Sequence, residues 1–261
     1  GWMRLNRLVA LAKKYRTRAK LFSESGAYAQ RGYIVIEEKK LIYQVMYKVA
    51  CSSIMASLTG MGKKENYLRI HHILGGKGEI IRNLPYDAHP GFFRFTFVRD
   101  PLERLVSCYV SKYRADQAIL GKRDLPRLYF DRYLFGFLKK DKGFAQFARR
   151  VSRIPDCLSD RHFVSQNFMI HDKKGRKTVE FVGRFENLSD EFAPIAQKYD
   201  LAALPTYNAT NKGAWMDYYD LDTARRVIKR YRADIEAFGY EDSAKALMAH
   251  LESREAARQA Q

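Results

Sequence analysis

Two short stretches of the chain set cations and hydroxyls at the ends of β-type runs. The first, Tyr47-Lys48-Val49-Ala50-Cys51-Ser52-Ser53, follows the apolar run Leu41 to Met46 and leads into a helical pattern expected to start near Ser53. Small side chains let backbone N–H groups approach an anion, a helix N-terminus adds favourable electrostatics, and Lys48 adds a point charge. That is the build of a phosphate cradle. It is not the G-x-x-x-x-G-K-[ST] loop, whose glycine spacing is absent. Strand, small turn and helix form a common arrangement, so by itself this stretch serves equally as an ordinary turn. The second stretch, Phe97-Val98-Arg99-Asp100-Pro101-Leu102-Glu103-Arg104-Leu105-Val106-Ser107, puts an arginine at a strand end and a serine two helical turns later. Arginine grips phosphate bidentately, and the Ser107 hydroxyl can donate to the same group. One phosphate at each of two strand ends implies a ligand carrying two separated phosphates.

The elements that must position these residues follow from periodicity and punctuation. Tyr33 to Ile36 and Leu41 to Met46 are β-rich runs on either side of the polar turn Glu37-Glu38-Lys39-Lys40, which suggests a hairpin. Phe93 to Val98 is a further strand, closed by Arg99-Asp100-Pro101, where proline suits the first turn of a helix running through Leu105, Tyr109 and Tyr113. Val179 to Gly183 is a third strand and precedes a helix beginning near Glu186, a residue that either caps it, the favoured role, or touches the active site. Asp222 to Phe238 is expected to form one amphipathic helix stopped at Gly239. This succession predicts an α/β fold with a mainly parallel central sheet flanked by helices, whose ligands bind outside the carboxyl ends of the strands. Lys48 and Arg99 both fall at such ends. With no repeat, no low-complexity tract and no linker, a single domain over 33–240 is expected, with a helical insertion around 115–178. A basic helical segment over 1–32 precedes it and a helical tail over 241–261 follows.

Composition narrows the partners. The chain has 261 residues, 46% hydrophobic and 13% aromatic. A chain of that size can bury roughly 75% of its unfolded surface, which excludes a disordered protein or a stapled mini-scaffold. No run of apolar residues is long enough to span a bilayer. Lysine and arginine number 47 against 29 acids, a net charge of +18, so an anionic partner is the default. Nucleic acid, anionic lipid, acidic glycan and a polyphosphorylated nucleotide all satisfy that. Three cysteines, Cys51, Cys108 and Cys157, show no CxxC spacing, so neither a zinc site nor a disulfide framework is expected, and a reducing, cytoplasmic setting is the simpler expectation. The first twenty residues hold seven cations and no acid at amphipathic spacing. Such a helix either packs on the body or lies on an anionic membrane surface. It lacks the long apolar core of a signal peptide, so no targeting is expected.

The two phosphate stretches together resemble the phosphosulfate and 3′-phosphate motifs of sulfotransferases, and within them the carbohydrate branch that modifies chondroitin and dermatan. The similarity continues in family order through Asp160-Arg161-His162-Phe163 with Gln166, Phe181 to Leu188, Asn208-Ala209-Thr210 and Tyr231 to Tyr240. The resemblance implies a P-loop-like sulfotransferase fold and 3′-phosphoadenosine 5′-phosphosulfate (PAPS) as sulfate donor, with no metal. It implies a carbohydrate acceptor, an acidic polysaccharide among the candidates, and no nucleic acid. Carried over, Lys48 would hold the 5′-phosphate and the bridging oxygen, assisted by Val49, Ala50, Cys51, Ser52 and Ser53. Arg99 and Ser107 would bind the 3′-phosphate. Family members often have tryptophan where this chain has Phe163, and luminal members carry cysteine pairs and a membrane anchor missing here, which points to a bacterial or otherwise cytoplasmic relative.

Sulfuryl transfer makes physical demands of its own. An acceptor hydroxyl attacks sulfur in line, the leaving phosphate gains negative charge, and a lysine and amide dipoles at that oxygen stabilise the transition state. The hydroxyl must also lose its proton, most simply to a histidine. His71, His72 and His89 are candidates, each also readable as a structural residue. His89 ranks first because its segment returns toward the second strand and family members carry a histidine near this point. His162 serves either proton transfer or contact with adenine or acceptor. Late in the chain, the loop Asn208 to Trp215 is similar in position to the loop that sulfotransferases close over the nucleotide. There Lys212 would add a 3′-phosphate contact and Trp215 a stacking face; an ordinary surface loop accounts for it equally. Arg225, Arg226, Lys229, Arg230 and Arg232, with Arg149, Arg150 and Arg153, form either a solvated face or a polysaccharide-attracting one. Two other functions compete: a non-catalytic binder of nucleic acid or acidic glycan, and a nucleotide-dependent kinase, which would need a magnesium carboxylate not found here.

Overall fold

The structure, a computed structural model, describes residues 31–60, 80–82, 84–113, 137–138, 143–204 and 214–260. Five strands form one sheet: β1 (Gly32–Ile36), β2 (Leu41–Val45), β3 (Ile80–Arg82), β4 (Phe93–Val98) and β5 (Phe181–Arg184), in the order β3-β1-β2-β4-β5. β1 and β2 pair as the expected hairpin, Ile36 opposite Leu41, across a 3-10 turn over Glu37–Lys39 that Lys40 closes in the left-handed region. That tight turn forces an antiparallel pair, and β3 adds to β1 antiparallel as well. β2, β4 and β5 run parallel. The sheet is therefore mixed rather than purely parallel, and the expected α/β fold with flanking helices stands. β2 lies at its centre, with Leu41, Ile42, Tyr43 and Val45 fully buried, as a strand covered on both faces requires.

The described α-helices are α1 (Cys51–Thr59), α2 (Pro101–Cys108), α3 (Gly143–Val151), α4 (Gln166–Met169), α5 (Leu188–Lys198), α6 (Leu221–Arg230), α7 (Arg232–Phe238) and α8 (Glu241–Gln259). A π-helical turn, Tyr109–Tyr113, extends α2. The helix expected over Asp222 to Phe238 is two helices, broken at Tyr231 (φ −104°, ψ 22°). The Tyr231 hydroxyl donates to the Phe163 carbonyl, a tertiary bond that periodicity does not reveal. Gly239 ends α7 at φ 71°, as expected.

Two apolar clusters fix these pieces. One gathers Leu102 and Leu105 of α2, Phe147 of α3, Val227 of α6 and Leu247 of α8. The other joins Leu41, Tyr43, Phe95 and Phe97 of the sheet to Ile54 and Met55 of α1 and Phe192 of α5. β5 lies tight on β4 because Gly183 has no side chain: a Cβ there would come 2.2 Å from the Phe97 ring. The carboxyl ends of β2, β4 and β5 meet on one edge of the sheet, where Lys48, Arg99 and Glu186 follow.

Candidate functional site

The chain leaves β2 at Val45 and enters α1 at Cys51 through a turn in which Lys48 (φ 68°) and Ala50 (φ 50°) are both left-handed. L-residues with side chains rarely occupy that region, and alternation through it turns successive N–H groups toward one concave side, an anion-binding arrangement. The first turn of α1 contains no acid to oppose an anion. Val49, Cys51 and Ser53 are buried and Ser52 is half-buried, so what this turn can offer an anion is mainly backbone. Burial raises the Cys51 thiol above its ordinary range, which keeps it protonated. Lys48 reaches outward, its Nζ donating to Ser111 Oγ at 2.6 Å, and Ser111 in turn donates to the Ser107 carbonyl at 2.9 Å. The π-helical turn after α2 is what carries Ser111.

At the end of β4, Arg99 is 8% exposed. Its guanidinium donates to the Lys48 carbonyl at 3.3 Å and to Glu103 Oε1 at 2.7 Å, and it lies over the Phe185 ring at 4.3 Å. Its Nε is buried with no hydrogen-bond partner, an orphaned donor of the kind an absent anion would satisfy. Ser107, half-buried on α2, lies two turns beyond. The structure thus brings Lys48, Arg99 and the helix of Ser107 together at adjacent strand ends. The apolar core does not separate them.

A set of buried polar side chains behind these residues holds them there. Arg104, 1% exposed, donates to three carbonyls: Tyr47 at 2.9 Å, Val164 at 2.6 Å and Arg161 at 3.2 Å. Gln166, fully buried, accepts from the Arg99 amide at 2.9 Å and donates to its carbonyl at 2.8 Å, while Asp234 accepts the amides of Gln166 and Asn167. Burial raises Asp234 above the ordinary carboxylate range. Asp100 caps α2 by accepting from Leu102, and Ser243 of α8 donates to its other oxygen. Burial pushes Asp100 up from 3.8 to about 6. Glu186, expected to cap its own helix, instead accepts from the Asp100 amide and the Tyr240 hydroxyl, because the β4-α2 junction lies against it. Spacing along the chain hints at none of Arg104, Gln166 and Asp234, whose partners lie dozens of residues away. Only their place inside the resembling blocks marked them.

His162 stands beside the Lys48 turn, its ring 5.1 Å from that of Tyr47 and its Nδ1 2.6 Å from Asp160 Oδ1. Asp160 is held below the ordinary carboxylate range: the desolvation that would raise it is outweighed by His162, through charge and hydrogen bonds. His89, ranked first as base, is a correction. It sits in the turn before β4, with Nδ1 3.3 Å from Glu37 Oε1 in the β1-β2 turn. Both turns lie at the opposite edge of the sheet from Lys48 and Arg99, roughly 20 Å away along β4. His72, His71 and Lys212 lie outside the described residues, as does the segment 1–30. Four of the eight cations of the arginine face are held in ion pairs: Arg149 and Arg226 with Asp222, Arg230 with Asp156, and Arg232 with Glu236. Among the described residues no group of three His, Cys, Asp or Glu side chains gathers as a metal site, and no helix is long and apolar enough to cross a membrane.

Comparison with known proteins bears on this geometry. The model of the sulfotransferase family matches residues 31–241. The chain is similar to carbohydrate sulfotransferase 11 of Danio rerio, with 33% identity over 90 residues that cover 31% of this chain and 26% of that protein. The match thus spans about a quarter of that relative's length. No solved structure gives a significant match.

Proposed function

Since the chain belongs to the sulfotransferase family, we propose that it moves a sulfuryl group from PAPS to a hydroxyl of a carbohydrate, with Lys48 and Arg99 at opposite ends of the donor. The observation that carries this reading is the convergence of the two strand ends, Arg99 donating to the Lys48 carbonyl at 3.3 Å. Lys48 and the left-handed turn would take the 5′-phosphate end, and the orphaned Arg99 Nε with the Ser107 hydroxyl the 3′-phosphate. The carbohydrate acceptor is suggested by the name of the relative alone.

In this reading the acceptor oxygen forms a bond to sulfur while the bond from sulfur to the 5′-phosphate oxygen breaks. Negative charge grows on that oxygen, where the Lys48 ammonium stabilises it more in the transition state than in the bound donor. The acceptor proton goes to a base. Of the described histidines weighed for that role, His162 is the one beside the Lys48 turn. Asp160 at its Nδ1 favours the tautomer whose basic nitrogen is Nε2.

The test is labelled-sulfate transfer from PAPS over a panel of glycans, with Lys48→Ala beside the wild type. Turnover should fall by about 10²–10³ in the variant, the scale for deleting one donor to a developing oxyanion. A folded Lys48→Ala protein that transfers sulfate at the wild-type rate would overturn the assignment.

A further inference from the structure

Arg104 is the most deeply buried cation among the described residues, and the reaction chemistry above does not use it. It lies on α2 facing inward, 1% exposed, with no described carboxylate in an ion pair with it. Burial lowers its pKa from the ordinary arginine value, so the site holds this cation at a cost. Its donors go instead to three backbone carbonyls on two separate segments: Tyr47, immediately before Lys48, and Arg161 and Val164, in the stretch leading to α4. Only a planar fork with five N–H groups can span three such acceptors at once.

The Tyr47 bond is the informative one. The two residues with positive φ in this turn, Lys48 and Ala50, flank Val49 immediately after that carbonyl. Such conformations persist only where the surroundings over-determine them, and they concentrate at ligand clamps. A carbonyl drawn inward by Arg104 fixes the peptide plane from which the Lys48 backbone departs. The neighbouring Lys48 carbonyl is drawn the same way by Arg99 at 3.3 Å. With both carbonyls turned into the protein, the N–H groups that follow turn toward the outer side of the turn.

We infer that Arg104 is a positioning residue for the anion-binding turn: through the Tyr47 carbonyl it presets the Lys48 loop for the 5′-phosphate end of the nucleotide. It does not touch the nucleotide. The inference rests on the reading of the site as one for a 3′,5′-bisphosphorylated adenosine. It predicts an effect confined to one end of the ligand, which a merely structural arginine would not give.

The experiment is calorimetric titration of the wild type and Arg104→Lys with adenosine 3′,5′-bisphosphate, adenosine 5′-monophosphate and adenosine 3′-monophosphate. Lysine retains the charge but satisfies fewer carbonyls. The variant should bind the 3′,5′-bisphosphate and the 5′-monophosphate about tenfold or more weakly, the scale on which supporting partners act, and the 3′-monophosphate almost unchanged. Equal weakening of all three ligands, or of none, overturns the inference while leaving the nucleotide site intact. A wild type that binds none of them overturns the reading and the inference with it. Should Arg104→Lys not fold, the unaltered protein still decides. Its Arg104 Nε–H resonance should be protected before any ligand is added; protection that develops only on saturation with the bisphosphate would show that the ligand orders the turn, contradicting the inference.

Discussion

Replacing Asp100 with asparagine isolates a buried charge next to the proposed 3′-phosphate residue. Asp100 is 5% exposed, and burial raises it from 3.8 to about 6. That difference corresponds to about 3 kcal/mol between its two protonation states. Below pH 3.8 the carboxyl is protonated in both folded and unfolded chains. Between about 4 and 6 only the folded chain holds the proton, so stability falls as pH rises through that window, and above it the full penalty applies. Asparagine keeps the geometry, accepting from the Leu102 amide and donating to Ser243, and stays neutral throughout. Asp100→Asn should therefore match the wild type near pH 4 and exceed it by up to about 3 kcal/mol at pH 7.5. Urea unfolding of both proteins at the two pH values measures this. Asp160, Asp172 and Asp222, whose pKa values are lowered, titrate alike in both and cancel in the difference. A gap that is the same at both pH values would refute the reasoning.

Two further substitutions probe the frame and the site. Gly183→Ala would bring a Cβ 2.2 Å from the Phe97 ring, and should destabilise the chain by at least about 1–3 kcal/mol in urea unfolding; an unchanged midpoint would show that β5 can move off β4. Glu103 holds Arg99 at 2.7 Å and competes with any phosphate there, so Glu103→Gln should tighten binding of adenosine 3′,5′-bisphosphate about fivefold, the equivalent of roughly 1 kcal/mol for a partly exposed ion pair; weaker binding would mean that Glu103 aims the guanidinium rather than occupies it.

Much of the frame is legible in the sequence where the signal is local. The Glu37 to Lys40 turn, the run Phe93 to Val98 and the Asp100-Pro101 helix start each announce themselves within a few residues, and so do the cations at the strand ends. The sheet's handedness of pairing is less legible: a hairpin signal at β1-β2 already implied an antiparallel pair, but the three-residue β3 is too short to register as a strand. The break at Tyr231 escaped because the apolar period continues through it, while the hydroxyl's partner, the Phe163 carbonyl, lies far outside any local window. His89 misled for a related reason. Its distance in sequence from Arg99 is short, yet β4 lies between them and carries the two to opposite edges of the sheet. Arg104 and Gln166 were hidden most completely, since their roles consist of bonds to backbone groups about sixty residues away.

The central claim is that one nucleotide spans the Lys48 turn and Arg99, and it is tested most directly by comparing adenosine 3′,5′-bisphosphate with adenosine 5′-monophosphate in calorimetric titrations of the wild type and Arg99→Ala. The wild type should prefer the bisphosphate by about 10- to 100-fold, as expected for a charged hydrogen bond to a partly buried group, and Arg99→Ala should bind the two alike. Equal affinity of the wild type for both nucleotides, or a preference that survives the loss of Arg99, would contradict the account.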